Sequence, residues 1–334
     1  MTAQTVIVTG ATGFIAQHVV GQLLDRGYIV IGQVRSSVKG IQLLKDFNHE
    51  HFSYEVVEVL EKDGAFDKVL LNHPEATVFI HTASPVSFSV ENNERDLLDP
   101  AIQGTKNVLV SIKKFAPQIR KVVYTSSAIT ATSFSGMGDT TFSCTDDTWN
   151  PISYEQGISG DSFEGYSASK KFAELAAWNF IKEEKPNFTL STILPVYVLG
   201  PQAFISGLKN LNLTAQVVAD VLNFKKGEPI PELENSFVDV RDVARAHIEA
   251  FEKDAAQGKR LYLTAEKFSN EEMVDIVRKN FPEVAGKLPV AKPIKRTMLD
   301  KSNDAFIKII LGKQYYGLEK TVVDSIKQLL DHST

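Results

Sequence analysis

The sequence predicts a doubly wound α/β fold: a parallel sheet covered by helices on both faces, followed by a smaller, mostly helical lobe. Short apolar runs alternate with stretches of helical spacing up to Pro195, and beyond it the pattern changes to loops and short helices. A length of 334 residues leaves room for both parts, at about 150 residues per domain.

The first run, Thr5 to Val8, is followed by Gly10 and then by Phe14, Ile15, Val19, Val20, Leu23 and Leu24 at helical spacing. This reads strand, tight turn, helix. Arg26-Gly27 predicts the helix stop, because glycine tolerates the left-handed conformation found there, and Tyr28 to Val34 is the second strand. Further strands are expected at Tyr54 to Val59, Val78 to Ile80, Lys121 to Tyr124 and Leu190 to Leu194, with helical stretches such as Lys106 to Phe115 between them. From Ala128 to Gly165 the pattern dissolves into Ser, Thr, Gly, Asp and aromatic residues, which predicts a surface excursion beside a functional site. Turns at Gly200-Pro201 and Gly227 to Pro231 precede helical patterns at Val240 to Phe251, Asn270 to Phe281 and Leu318 to Leu330. The expected division is a first domain over residues 1–200, to which about 235–265 returns, and a substrate lobe over 201–334.

Thirty-six basic against 41 acidic residues give a net charge of -5, without the basic surface that a nucleic acid would require. Apolar types at 43 % and charged types at 23 % are those of a folded globular chain. Cys144 is the single cysteine, so neither an internal disulfide nor a sulfur-rich zinc site can form, and a reducing compartment is expected. No apolar run approaches the ~18 residues of a membrane span. Met1 to Gln4 leads straight into Val6-Ile7-Val8 with no signal-like segment, and Asp331 to Thr334 matches no lipidation or retrieval signal. The expectation is a cytoplasmic protein without nucleic-acid or membrane partners, acting as a monomer or homodimer.

In the turn Thr9-Gly10-Ala11-Thr12-Gly13-Phe14-Ile15-Ala16, small residues let the backbone approach a pyrophosphate, and the following helix offers it unpaired N–H groups. An ordinary glycine turn is the alternative. The second strand ends in Val34-Arg35-Ser36-Ser37-Val38-Lys39, where an NAD-selective site would place a carboxylate. Arg35 could instead grip a 2'-phosphate, with Ser36 and Lys39 in support, which favours NADPH over NADH; a solvated loop arginine is the alternative.

Tyr166 and Lys170 are four apart, so on a helix they share one face. Spacing alone is weak evidence, since chance supplies about 0.7 such pairs. Tyr316 and Lys320 repeat it at the start of the last helical pattern, with no hydroxyl cluster before them, and read as structural. Upstream of Tyr166 a strand ends in Thr125-Ser126-Ser127, which a parallel sheet delivers to its ligand-binding edge, making Ser127 the third member. The strand end His81-Thr82-Ala83-Ser84 reaches the same edge, where small residues admit the nicotinamide ribose and His81 reads as a packed histidine. No histidine pair has metal-ligand spacing with a neighbouring glutamate, and no serine sits in a Gly-x-Ser-x-Gly elbow, so metal and acyl-transfer chemistry are not expected.

These residues together resemble the short-chain dehydrogenase/reductase superfamily in its extended form. Gly10 to Ala16, Ser127, Tyr166, Lys170 and Leu194-Pro195-Val196-Tyr197-Val198-Leu199-Gly200-Pro201 match its signatures. More narrowly, Gly13-Phe14-Ile15-Ala16-Gln17-His18, His81-Thr82-Ala83-Ser84-Pro85, Glu94-Arg95-Asp96-Leu97-Leu98, Ser169 to Glu174 and Asp239 to Ala244 are similar to the fungal NADPH-dependent methylglyoxal and 3-methylbutanal reductases, relatives of plant dihydroflavonol reductase. The resemblance implies a Rossmann domain that binds NADPH through Gly10, Thr12, Gly13, Phe14, Ile15, Arg35, Ser36, Lys39, Thr82, Ala83, Ser84, Thr125, Tyr166, Lys170, Pro195 and Val198. It also implies reduction of an aldehyde or ketone, with Tyr166 donating a proton to the oxygen, Ser127 holding it, and Lys170 stabilising the phenolate and orienting the ribose.

Two positions depart from the family. Val59, with Leu60 beside it, occupies the place where relatives often carry an acidic residue toward the adenine, so apolar packing and backbone contacts are expected to hold the adenine. Ala128 replaces an aromatic residue after the serine, which should enlarge a pocket walled by Val86, Phe88, Ser127 and Tyr197 and admit bulkier ketones. Sugar-nucleotide epimerases and dehydratases share this fold and triad, and a non-catalytic NADP(H) sensor would share the groove, so both stay open as alternatives.

Overall fold

The computed structural model describes residues 3–84, 90–139, 142–293 and 314–332. Its main sheet is assembled from β1 (Thr5–Thr9), β2 (Ile29–Val34), β3 (Phe52–Val56), β4 (Ala76–His81), β5 (Lys121–Thr125), β6 (Thr189–Pro195) and β9 (Arg260–Leu263). Their order is β3-β2-β1-β4-β5-β6-β9, and every neighbouring pair is parallel. The connection reverses direction between β1 and β4, which opens a crevice at the carboxyl ends of these strands.

Strand alternation explains the two cores. On β1, Val6 and Val8 face one side, with Val19, Val20 and Leu23 of α1 (Phe14–Asp25) and Val243 and Ile248 of α8 (Val240–Glu252). Ile7 faces the other side, with residues of α3 (Asp67–Asn72), α4 (Asp99–Phe115) and α6 (Ser162–Glu184). All three β1 residues are fully buried, at about 1.5–3 kcal/mol each, so a strand this short holds its place through both faces. Gly27 at φ +82 turns the chain out of α1 as its sequence position predicts. α2 (Ser37–Phe47) follows β2, and α5 (Tyr154–Ser159) precedes α6.

β3 stops at Val56, short of the expected run to Val59, because residues 57–60 leave the ladder in a bend and turn. The expected excursion after Ala128 ends earlier than Gly165: Asp161 caps α6 by accepting N–H bonds from Phe163 at 2.9 Å and Glu164 at 2.8 Å. The later part of the chain is built on a sheet the pattern did not foretell. Here β7 (Tyr197–Leu199), β8 (Glu234–Asp239) and β10 (Glu266–Ser269) pair in the order β10-β8-β7. Against it lie α7 (Leu213–Asp220), α9 (Asn270–Asn280), α10 (Pro282–Ala285) and α11 (Leu318–Asp331), with Phe237, Phe268, Met273 and Val322 fully buried between them. No described helix is long and apolar enough to cross a membrane.

Candidate active site

β1 ends at Thr9, and Gly10 adopts φ +62, a conformation that favours glycine. A Cβ on Gly10 would stand 3.0 Å from the Ala83 Cα, so its absence lets the turn lie against the end of β4. Gln33 of β2 fixes the turn. Its Oε1 accepts the Gly10 N–H at 3.0 Å and its Nε2 donates to the Val57 carbonyl at 2.8 Å. A lone amide within an apolar strand was the available sign of this role, which motif matching passes over. Thr9 Oγ1 accepts the N–H groups of Thr82 and Ala83, both at 3.1 Å, so its own proton goes to His81 Nδ1 at 2.8 Å. Burial pushes His81 down to about 3, with the Lys170 charge acting the same way, so this ring is a neutral packing element stacked on Tyr124.

α1 begins at Phe14 with no side-chain cap and no acidic residue in its first turn. Its N–H groups and positive dipole end therefore remain available to an anion. Gly10, Thr12 and Gly13 line a cleft of about 740 Å³ together with Gln33, Arg35 and the β4 end residues Thr82, Ala83 and Ser84. Arg35 is exposed and makes no ion pair or hydrogen bond among the described residues. Ser36 is the N-cap residue of α2 and Lys39 is exposed on its first turn; neither lines the cleft.

The expected apolar contact for adenine needs correction. Leu60 lines this cleft, but Val59 is 47 % exposed and does not, whereas the carboxylates Glu58 and Glu61 do. The physical reason is the early end of β3: past Val56, strand alternation no longer decides which side chains face inward.

A second cavity, of about 360 Å³, continues from this cleft past Gly13, Phe14 and Ile15. Thr125, Ser127, Tyr166 and Lys170 line it from one side, and Pro195, Tyr197 and Val198 from another. Thr125 Oγ1 lies 2.6 Å from His247 Nε2, and His247 Nδ1 lies 2.7 Å from the Val243 carbonyl. Tyr166 and Lys170 are one turn apart on α6, and a Ser127 hydrogen bond reaches the Tyr166 phenol. Burial pushes that phenol above its ordinary value, while the Ser127 bond acts in the opposite direction. Lys170 is 5 % exposed; burial lowers its ammonium to about 8, against the raising effect of Glu174.

Ala128 is the other correction. It is fully buried at the start of a short 3-10 turn and is not among the residues that line the cavity; its neighbour Ile129, packed into the same core, is the one that does. Val86 and Phe88 lie outside the described residues. The wall is otherwise made by Phe134, Met137, Phe163 and Leu213, four residues that carry no motif. Asn212 lines both cavities and comes from the second lobe. Tyr316, of the second pair with this spacing, lies under the Arg241 guanidinium at 3.9 Å, and Lys320 pairs with Asp324 at 2.8 Å, away from either cavity.

Taken together, an anion-accepting turn and a free guanidinium open onto an apolar chamber holding a phenol, a hydroxyl and an ammonium. Such a set can bind a phosphorylated dinucleotide and deliver a proton to a carbonyl oxygen beside it. Among the described residues no cluster of three or more His, Cys, Asp or Glu could hold a metal ion.

Comparison with known proteins agrees with this geometry. Residues 6–263 match the NAD dependent epimerase/dehydratase family. The NADPH-dependent methylglyoxal reductase GRE2 of Saccharomyces cerevisiae is 38 % identical over 98 % of both chains, and the ketoreductase azaE of Aspergillus niger is 36 % identical over 99 % of both. The crystal structure of Gre2 from Candida albicans in complex with NADPH superposes with a TM-score of 0.92 at 45 % identity, covering 99 % of this chain and 100 % of that one. On the matched span, the turn at Gly10 and the paired Tyr166 and Lys170, the chain belongs to the NAD dependent epimerase/dehydratase family, the extended short-chain dehydrogenases/reductases.

Proposed function

We propose that this chain is an NADPH-dependent carbonyl reductase, which converts an aldehyde or ketone to an alcohol in the cytoplasm. The observation that carries the reading is the hydrogen bond between Ser127 and the half-buried Tyr166 phenol, in an apolar chamber continuous with the cleft that holds Arg35. The fit of the cofactor rests on the molecule itself. The Gly10 turn has no room for a Cβ, and Ser84, which lines both cavities, has a buried hydroxyl with no partner among the described residues. Gly10 to Ile15 would hold the pyrophosphate, Arg35 the 2'-phosphate, and Pro195 and Val198 the nicotinamide. When bound, NADPH supplies the hydride.

The chain's own residues do the rest. Below its raised pKa the Tyr166 phenol keeps its proton, aimed at the carbonyl oxygen that Ser127 also holds. Lys170, cationic below about 8, stabilises the phenolate left after transfer and reaches the ribose hydroxyls. Ile129, Phe134, Met137, Phe163 and Tyr197 offer mostly apolar surface, which suits small aldehydes such as methylglyoxal or 3-methylbutanal and apolar ketones. A dehydratase would need acidic groups beside the serine, where this chain has buried Ala128 and Ile129.

The test is loss of reduced-nicotinamide absorbance across a panel of aldehydes and ketones, with NADPH run against NADH. Turnover with NADPH and at least one apolar carbonyl is expected; no turnover across the panel overturns the reading.

A further inference from the structure

Behind the chamber, one helical turn beyond Lys170, lies a carboxylate that the reaction as described does not use. Glu174 is completely buried on α6. Its Oε1 accepts from Arg260 Nε at 2.8 Å, Thr192 Oγ1 at 2.9 Å and Trp178 Nε1 at 3.2 Å. Its Oε2 accepts from Ser126 Oγ and Thr130 Oγ1, both at 2.6 Å, and Arg260 Nη2 stands 3.5 Å away. A carboxylate offers about four lone-pair sites, so this one is saturated.

Its donors are not scattered. Ser126 immediately precedes Ser127, and Thr130, whose hydroxyl proton goes to Glu174, donates its backbone N–H to the Ser127 carbonyl at 3.0 Å, so Glu174 holds the chain on both sides of the hydroxyl that meets Tyr166. Arg260 comes from β9 at the sheet edge and extends the grip. Its guanidinium donates to the Thr148 carbonyl and stacks 3.8 Å from the Trp149 ring, in the segment that follows the cavity-lining Phe134 and Met137.

An apolar core of the same shape is often as stable as a buried ion pair, so stability alone gives little reason for this arrangement. We infer that Glu174, paired with Arg260, is a positioning residue for the reaction: through Ser126 and Thr130 it fixes Ser127, and along α6 it places a negative charge one helical turn from Lys170. This rests on the proposed roles of Ser127, Tyr166 and Lys170. Glu174 of its own helix acts on the Lys170 charge; of the titratable groups around the pair, neutral His81 of β4 feels that charge, the Tyr124 phenol of β5 feels Glu174 and Tyr166, and Arg260 of β9 is paired with Glu174. Glu174 is the anion among them, and its removal leaves the ammonium less supported.

The experiment compares Glu174→Gln, Thr130→Val and Thr130→Ser with wild type, using 3-methylbutanal and NADPH, with NADPH affinity read by fluorescence and folding by thermal unfolding. Glu174→Gln should lower kcat about tenfold or more with NADPH affinity nearly unchanged, and should move the alkaline limb of the kcat profile to lower pH. A simple loss of folded protein moves no limb. Thr130→Val, which keeps the ion pair, should lower kcat with the limb in place, and Thr130→Ser should restore it. Wild-type kcat and pH profile in folded Glu174→Gln overturn the inference; where that variant does not fold, wild-type kcat in Thr130→Val overturns it. Tyr166→Phe run in parallel separates the two claims, because full activity there defeats the proposed reaction itself rather than the role of Glu174.

Discussion

Gln33 Oε1 accepts the backbone N–H of Gly10 at 3.0 Å, tying β2 to the turn that would meet a pyrophosphate. The same amide donates to Val57, so one buried side chain spans three strands' worth of backbone. Gln33→Leu keeps the volume but leaves the Gly10 N–H and the Val57 carbonyl without this partner, at a cost of about 1–3 kcal/mol. The expected result is a lower midpoint in urea unfolding and weaker NADPH binding by fluorescence titration, with kcat at saturating cofactor little changed.

Tyr166→Phe removes the proton donor and leaves the ring. Turnover should fall by about 10²- to 10⁴-fold while NADPH binding persists, because the phosphate turn and Arg35 are untouched. Steady-state kinetics beside a binding titration decides this; a mutant that reduces carbonyls at the wild-type rate would reassign the acid.

Arg35 has no competing partner among the described residues, so its guanidinium is available to a phosphate. Arg35→Ala should cut the kcat/KM preference for NADPH over NADH by about 10- to 100-fold, the equivalent of about 1.5–3 kcal/mol for a charge-assisted bond. Ser36→Ala and Lys39→Ala should each have a smaller effect, since neither side chain lines the cleft.

The pH dependence follows from Lys170. Burial lowers its ammonium to about 8, so the cation is present below that pH and is lost as pH rises through it. Carbonyl reduction should decline on the alkaline side in a pH–rate profile. His81, held near 3, stays neutral above that value and should add no inflection around neutrality.

Ala128 and Ile129 separate core from pocket. Ala128→Phe would force an aromatic ring into filled space, at about 1–3 kcal/mol or more, and should lower the thermal midpoint without opening new substrates. Ile129→Ala should shift preference toward bulkier ketones, read as a change in relative kcat/KM across a size series.

What could be read from the sequence follows the range of the interactions. The Gly10 turn, Ser127, Tyr166 and Lys170 sit in local patterns, a strand followed by a turn or one helical period, and these appear together around one chamber. Gln33 left one sign, a lone amide within an apolar strand, but Glu174 and Arg260 left none, because their role depends on a partner far away in the chain: they are 86 residues apart and meet only once the sheet closes. The small sheet escaped for a related reason, since β7 has only three residues and its partner β8 begins only at Glu234, so no local pattern joins them. Val59 and Ala128 failed for a local cause: one residue of bend or of tight turn changes which neighbour faces the ligand.

β9 comes late in the chain yet completes the sheet beside β6. During synthesis on the ribosome, the amino-terminal half therefore emerges with Glu174 but without the arginine that neutralises it. A nascent chain cut off after β6 would have to bury an uncompensated anion to close its core, a step costing several kcal/mol. Because β7 and β8 are made before β9, the sheet reaches charge balance only after the chain has already entered the lobe, so the two parts are committed to mature as one unit.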